Sequence, residues 1–223
     1  MPIAMHWYEY LIELISPSFC LSCHRLSPAL CVDCYHGLEF YYQKDSSLEE
    51  GGRDDAASNS KVEIVCRLHG PLAKLLKAYK YQHAKNLGVF LAHLIFQHAH
   101  LTPHYDFLAY IPLHPLKLRQ RGFNQCQVIT QALGELWQIP VVDLLKRTTY
   151  LSPQAQIEDR QERKSRVKGI FALDEQVKNL IRGKRILLFD DVLTTGATWR
   201  EAQSVLLTAG ATTVDGLILA SKK

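Results

Sequence analysis

The chain has 223 residues, 47% of them apolar, enough to bury an ordinary globular core. Lys and Arg outnumber Asp and Glu by 26 to 22, a mild basic bias compatible with an anionic ligand or with nucleic acid that selects neither. No apolar run approaches the roughly 18–20 residues that cross a bilayer, and no basic stretch followed by an unbroken apolar segment opens the chain, so the sequence reads as cytoplasmic, without a membrane span or a secretory signal.

Residues 6–15 set Trp7, Tyr8, Leu11, Leu14 and Ile15 on one helical stripe, ended by Ser16-Pro17-Ser18. The stripe lacks the basic flank of membrane-surface helices, which favours packing on the protein's own body. Four of the six cysteines then follow as Cys20-x2-Cys23-x7-Cys31-x2-Cys34. Each C-x2-C pair can turn two thiolates toward one ion, and two pairs close a tetrahedron around Zn²⁺. Four thiolates leave no open position, so the expected zinc is structural, and His24 and His36 are redundant as ligands. Chance pairs or disulfides are the competing reading, disfavoured by a reducing compartment. Cys66 and Cys126 sit in apolar patterns and read as core thiols.

Residues 43–61, from Gln43 to Lys61, are polar, acidic and rich in Gly and Ser. They read as a linker between an N-terminal helix and four-cysteine module (1–42) and a main domain (62–223). Helical spacing runs from Pro71 to Tyr81 through Leu72, Leu75, Leu76 and Tyr79, and again over residues 85–98 through Leu87, Phe90, Leu91, Leu94 and Ile95. Asp106 to Ile111 is a short strand, cut off by Pro112 and Pro115, and the loop after it holds Lys117, Arg119, Arg121 and Gly122. A helix opens near Phe123 with Ile129, Ala132, Leu133, Leu136 and Trp137 in its stripe. Val141-Val142 is a weak strand candidate, and residues 158–168 are heavily charged before Gly169-Ile170-Phe171 turns apolar. Arg185 to Phe189 is a buried strand, Trp199 to Ala209 a helix stopped by Gly210, and Thr213 to Ala220 the last strand. The alternation of strands and helices from residue 62 predicts an α/β fold around a parallel sheet.

The chemistry gathers where the strand Arg185–Phe189 gives way to Asp190-Asp191-Val192-Leu193-Thr194-Thr195-Gly196-Ala197-Thr198 and then a helix. Ligands of open parallel sheets bind beyond the carboxyl ends of the strands, where this turn falls. A helix N-terminus offers free N–H groups and partial positive charge, Gly196 admits a phosphate close to the backbone, and Thr194, Thr195 and Thr198 add hydroxyl donors. Carboxylates beside a phosphate would repel it, so Asp190 and Asp191 fit vicinal ribose hydroxyls, or Mg²⁺ held through water. A chance acidic pair before an ordinary capped turn is the plainer alternative. A P-loop is excluded because Ala197 stands where its lysine belongs.

The run Ile186 to Thr198 resembles the phosphoribosyl-diphosphate (PRPP) loop of type I phosphoribosyltransferases. Tyr110-Ile111-Pro112-Leu113-His114-Pro115, the stretch Arg119-Gln120-Arg121-Gly122-Phe123-Asn124-Gln125, Lys80-Tyr81, Gly169-Ile170-Phe171 and Pro17-Ser18-Phe19-Cys20 are similar to the ComF (ComFC, GntX) branch of that superfamily. Nearly the whole chain outside 43–61 takes part. Two departures stand out: Arg166 falls where many members carry Asn, with the register from Gln154 shifted by about one residue. The resemblance implies a type I phosphoribosyltransferase-like parallel sheet flanked by helices, and a place in DNA uptake during natural transformation. It further implies PRPP bound with Mg²⁺ by Thr194, Thr195, Gly196, Ala197, Thr198, Arg119, Arg121 and Lys80, with Asp190 and Asp191 as catalytic residues. On the residues themselves, Lys117, Arg119 and Arg121 suit a leaving diphosphate, with a solvated basic loop, and Asn124 and Gln125 as mere helix caps, as the alternative. Two functions stay open: a phosphoribosyltransferase of unread acceptor, or an inactive PRPP-binding adaptor. The adaptor would handle single-stranded DNA through the basic stretches 117–121, 160–168 and 182–185, beside uptake proteins such as a helicase.

Overall fold

A computed structural model describes residues 19–27, 29–41, 60–81, 84–101, 104–148 and 169–222. The stripe at 6–15, Pro28, nearly all of 43–61 and the charged stretch with Gln154 and Arg166 lie outside them.

The cysteine segment contains one short helix, α1 (Val32–His36). The chain then runs β1 (Val62–Arg67), α2 (Gly70–Tyr81), α3 (Leu87–His98), β2 (Phe107–Tyr110), α4 (Pro115–Arg121), α5 (Gln125–Trp137), β3 (Leu145–Arg147), β4 (Phe171–Leu173), α6 (Lys178–Ile181), β5 (Arg185–Leu193), α7 (Ala197–Thr208) and β6 (Thr213–Ser221). Four strands form one parallel sheet in the order β1-β6-β5-β2. Period-two alternation splits its side chains between two apolar layers. Leu187, Phe189, Leu217 and Leu219 meet α2, α3 and α5 on one face, through Leu72, Leu91 and Ile129. Ile186, Leu188, Val214 and Ile218 meet α7 and the β3–β4 region on the other, through Trp199, Leu206 and Ile170. Both central strands are therefore covered, which is why each reads as an almost unbroken apolar run.

The cysteine segment shares the first of these layers. Cys20, Leu30 and Leu38 are buried with Leu72, Leu75 and Tyr79 of α2. Phe40 pairs antiparallel with Cys66, where Tyr41 N–H donates to Val65 and Arg67 N–H to Glu39. This strip closes the free edge of β1.

Four local readings change. β5 does not stop at Phe189: Val192 and Leu193 stay in register with Ala220 and Ser221 of β6, so both aspartates lie on the strand itself. The loop after β2 contains α4, started by His114 as N-cap and Pro115 in the first turn and stopped by Gly122 at φ 81°. No residue of α4 is buried, so it left no apolar stripe to read. β3 pairs antiparallel with β4 as a separate two-stranded ribbon, a departure from the all-parallel expectation. Val141 makes only a bridge to Leu108.

Candidate functional site

Above the carboxyl ends of β2 and β5 lies a cleft of about 330 Å³. Its floor is the Asp pair. Asp191 is 5% exposed and meets the Lys80 ammonium at 2.5 Å, at the C-terminal end of α2. The Gln125 amide nitrogen donates to the same carboxylate at 3.2 Å from the first turn of α5. Tyr79 anchors the neighbouring turn by donating to the Gln125 carbonyl at 2.9 Å. Asp190 receives the Cys126 thiol, 3.8 Å away, and the backbone N–H of Asp191 at 2.9 Å. Burial, then the Asp191 charge, raise the Asp190 carboxyl to about 7, although Lys80 pulls the other way. Burial also pushes the Cys126 thiol well up, reinforced by the two carboxylates, so it is a protonated donor here.

The wall opposite carries positive charge. Lys117 of α4 and Arg147 of β3 both line the cleft. Burial lowers the Lys117 pKa, and Arg147, Arg121 and Lys80 lower it further by like-charge repulsion. Burial lowers Arg147 as well; its guanidinium lies over Phe171 at 5.5 Å, and its buried Nε–H has no partner among the described residues. Charges that repel one another around a concave space favour an anion inside it.

The Thr-Thr-Gly turn closes the third side. Gly196 caps α7 at φ 73°, and a Cβ there would come within 2.9 Å of an Arg200 guanidinium nitrogen. Arg200 holds the turn by donating to the Thr195 carbonyl at 2.8 Å. The first N–H groups of this twelve-residue helix have no intrahelical acceptor and carry its partial positive charge. Thr194, Gly196 and Thr198 line the cleft; Thr195 and Ala197 form the turn behind them, with Ala197 N–H 3.4 Å from the Thr195 hydroxyl.

The sequence-derived residues thus divide. Lys80, Asp190, Asp191, Thr194, Gly196 and Thr198 come together around the cleft. Arg119 and Arg121 are not on its wall: Arg119 is exposed, and Arg121 turns to the Gln125 side chain and lies 5.6 Å from the exposed Tyr81 ring. Cys126, Gln125 and Arg147 went unread as site residues. Asn124 is indeed a cap, accepting from Cys126 N–H at 3.0 Å, whereas the Gln125 side chain bonds the floor.

The four clustered cysteines place one Sγ each within 4.8 Å of the others, and none is in a disulfide. Cys23 and Cys31 sulfurs are 3.5 Å apart, near the roughly 3.8 Å edge of a tetrahedron with about 2.3 Å Zn–S bonds. Burial opposes ionisation of Cys20, but N–H groups of Cys31, Cys23 and Ser22 outweigh it and lower the thiol to about 6. At Cys34 the Ser22 hydrogen bond lowers the pKa, yet burial and the three neighbouring sulfurs win and raise it to about 12. Four sulfurs at this spacing could bind a metal ion, and an all-sulfur donor set suits Zn²⁺.

The described residues thus form a parallel sheet flanked by helices, with a four-cysteine cluster at residues 20–34. No protein-family profile matches the chain. It is 24% identical to competence protein F of Haemophilus influenzae over 208 residues, 89% of this chain and 88% of that protein. It is 28% identical to competence protein ComFC of Streptococcus pneumoniae over 82% and 83% of the two chains. DNA utilization protein YhgH of Salmonella typhi is 30% identical over 154 residues, a match that spans 64% of that relative. Among solved structures, the PRPP amidotransferase of B. subtilis aligns at 23% identity and TM-score 0.39, over 62% of this chain and 26% of that one. These matches support the likeness to the ComF family that the motifs carry.

Proposed function

We propose that the cleft binds PRPP together with Mg²⁺ and that the protein serves DNA uptake. One juxtaposition carries the reading: a strand-end carboxylate pair, a glycine turn at a helix N-terminus and the cations Lys80, Lys117 and Arg147 around one cleft. The 5′-phosphate is assigned to the turn at Thr194–Thr198 and the ribose hydroxyls to Asp190 and Asp191. Lys117 and Arg147 receive the diphosphate end. Carboxylate oxygens suit Mg²⁺, and Asp190 and Asp191 would hold it, neutralising part of the diphosphate charge.

Transfer would break the bond between C1 of the ribose and the diphosphate oxygen, whose electron pair leaves with the diphosphate. The carboxylates steady the cationic sugar while an acceptor attacks it. The role in DNA uptake rests on relatives named for competence and DNA utilization. Calorimetry with PRPP, ribose 5-phosphate and inorganic pyrophosphate, each with and without Mg²⁺, tests the site. PRPP should bind tightest, and only with Mg²⁺; equal affinity for PRPP and ribose 5-phosphate would refute the diphosphate assignment.

A second reading, the adaptor for single-stranded DNA, draws support from the Arg121–Tyr81 pair. Tyr81 is 71% exposed, and Leu116 and Leu118 lie exposed on α4 beside basic residues, a surface suited to stacking bases and neutralising phosphates. Tyr81→Ala should weaken fluorescent single-stranded DNA while leaving PRPP affinity intact. Among the described residues no helix is long and apolar enough to cross a membrane.

A further inference from the structure

Helix α2 touches both special regions of the molecule. At its N-terminal end Pro71 packs under Gly37, the residue that caps α1. One turn later the Lys74 ammonium donates to the Ser22 carbonyl at 2.7 Å, between the first two cysteines. Leu72, Leu75 and Leu76 pack in the same buried layer as Cys20 and Leu30. At the other end Tyr79 donates to the Gln125 carbonyl and Lys80 grips Asp191 on the cleft floor. Twelve residues of helix span roughly 18 Å, and Lys74 and Lys80 are six residues, about 9 Å of rise, apart.

The helix is stiff over that length, because Leu72, Leu75 and Tyr79 are fully buried and leave it no room to bend. A displacement at Ser22 must therefore reach Lys80, as a shift of the helix or as a broken contact at one end. Ser22 is itself 8% exposed, so its carbonyl has no ready substitute donor if the Lys74 ammonium leaves. The cysteine cluster is tied to the body a second time through α3: the Tyr35 hydroxyl lies 2.9 Å from His98 Nε2, and Phe40 stacks on the same ring at 3.6 Å. Among the described contacts, α2 is the element that both bonds Ser22 and itself carries a cleft residue, Lys80.

We propose that Lys74 is a positioning residue: through α2 it couples the geometry of the four-cysteine metal centre to the placement of Lys80, and so to the anion affinity of the cleft. The anion half rests on the function proposed above; the placement half does not.

The test uses the full chain loaded with zinc, as wild type, Lys74→Met and Lys74→Arg. Two quantities are read: amide exchange of residues 77–81 against 129–134, and affinity for inorganic pyrophosphate. Lys74→Met keeps the side-chain stem and removes the ammonium. It should retain its metal, speed exchange at 77–81 about threefold to tenfold with 129–134 unchanged, and weaken pyrophosphate by a similar factor, the worth of about one hydrogen bond. Lys74→Arg should restore both. A Lys74→Met protein with wild-type exchange at 77–81 overturns the proposal, as does a uniform rise across both segments, which would mark a merely structural role. If wild type binds no pyrophosphate while exchange responds as expected, the anion reading of the cleft fails and the coupling stands. Should Lys74→Met not fold, wild type with Cd²⁺ replacing Zn²⁺ takes its place: the larger ion must alter exchange at 77–81, and identical exchange in both metal forms refutes the coupling.

Discussion

Replacing Lys80 by Met tests the floor of the cleft most directly. Asp191 has its side chain 8% exposed and Lys80 20%, so the pair is largely withdrawn from water. Breaking such a pair from one side leaves an uncompensated charge and costs about 3–5 kcal/mol. The lower end applies here, because the Gln125 amide stays bonded to Asp191. A loss of about 3 kcal/mol lowers Tm by about 6–12 °C for a chain of this size.

The deficit must also depend on pH, with a definite sign. Asp190 already holds its proton up to about 7, with Lys80 as the chief opposing influence, so removing Lys80 raises it further. The folded variant then binds a proton that the unfolded chain, with carboxyl groups near 3.9, has released across the range from about pH 4 to above 7. A native state that holds more protons loses stability as pH rises. Wild-type Asp190 itself titrates near 7, so the extra loss accrues only above that value, and thermal melts should show a deficit at pH 8 larger than at pH 5 by up to about 1.4 kcal/mol. Lys80→Met combined with Asp191→Asn should recover most of it, since the orphaned charge is gone. An equal deficit at both pH values, or additive effects in the double variant, would contradict the pairing described here.

Lys117→Ala and Arg147→Ala should each weaken pyrophosphate by about 1.5–3 kcal/mol, the worth of a charged hydrogen bond, and Arg119→Ala by far less, measured by calorimetry. Gly196→Val should cost about 1–3 kcal/mol of stability, because φ 73° strains any side chain and its Cβ meets Arg200, and it should abolish PRPP binding. Elemental analysis should find close to one zinc per chain, lost with soluble yield in Cys34→Ser, since structural zinc contributes folding energy outright; metal-free protein of normal solubility would refute this.

The strands and long helices were legible because burial imposes a period. β5 and β6 are covered on both faces and read as apolar runs, while α2 and α5 present one stripe each to the sheet. What escaped has no such imprint. β3 is three residues, Leu-Lys-Arg, whose partner strand begins at Phe171, and nothing local announces the pairing. Cys126 sits in an apolar pattern like any core thiol; that its sulfur meets Asp190 is a consequence of α5 crossing β5, which adjacent residues do not encode.

The basic segment after β2 shows the same limit at a single site. Treated as a loop, Lys117, Arg119 and Arg121 are equivalent charges. His114, Pro115 and Gly122 make it a helix, and a helix turns about 100° per residue, so Arg119 points away from the side on which Lys117 stands. Arg121 returns toward the Lys117 side one turn further on, where Tyr81 and the Gln125 side chain engage it. The cation that completes the wall comes instead from Arg147, with Phe171 beneath its guanidinium. Positive charge was therefore readable as a property of the region, but its distribution over the cleft was not. That distribution depends on two glycine- and proline-defined helix ends and on one short antiparallel pairing, each worth little in sequence pattern and decisive in space.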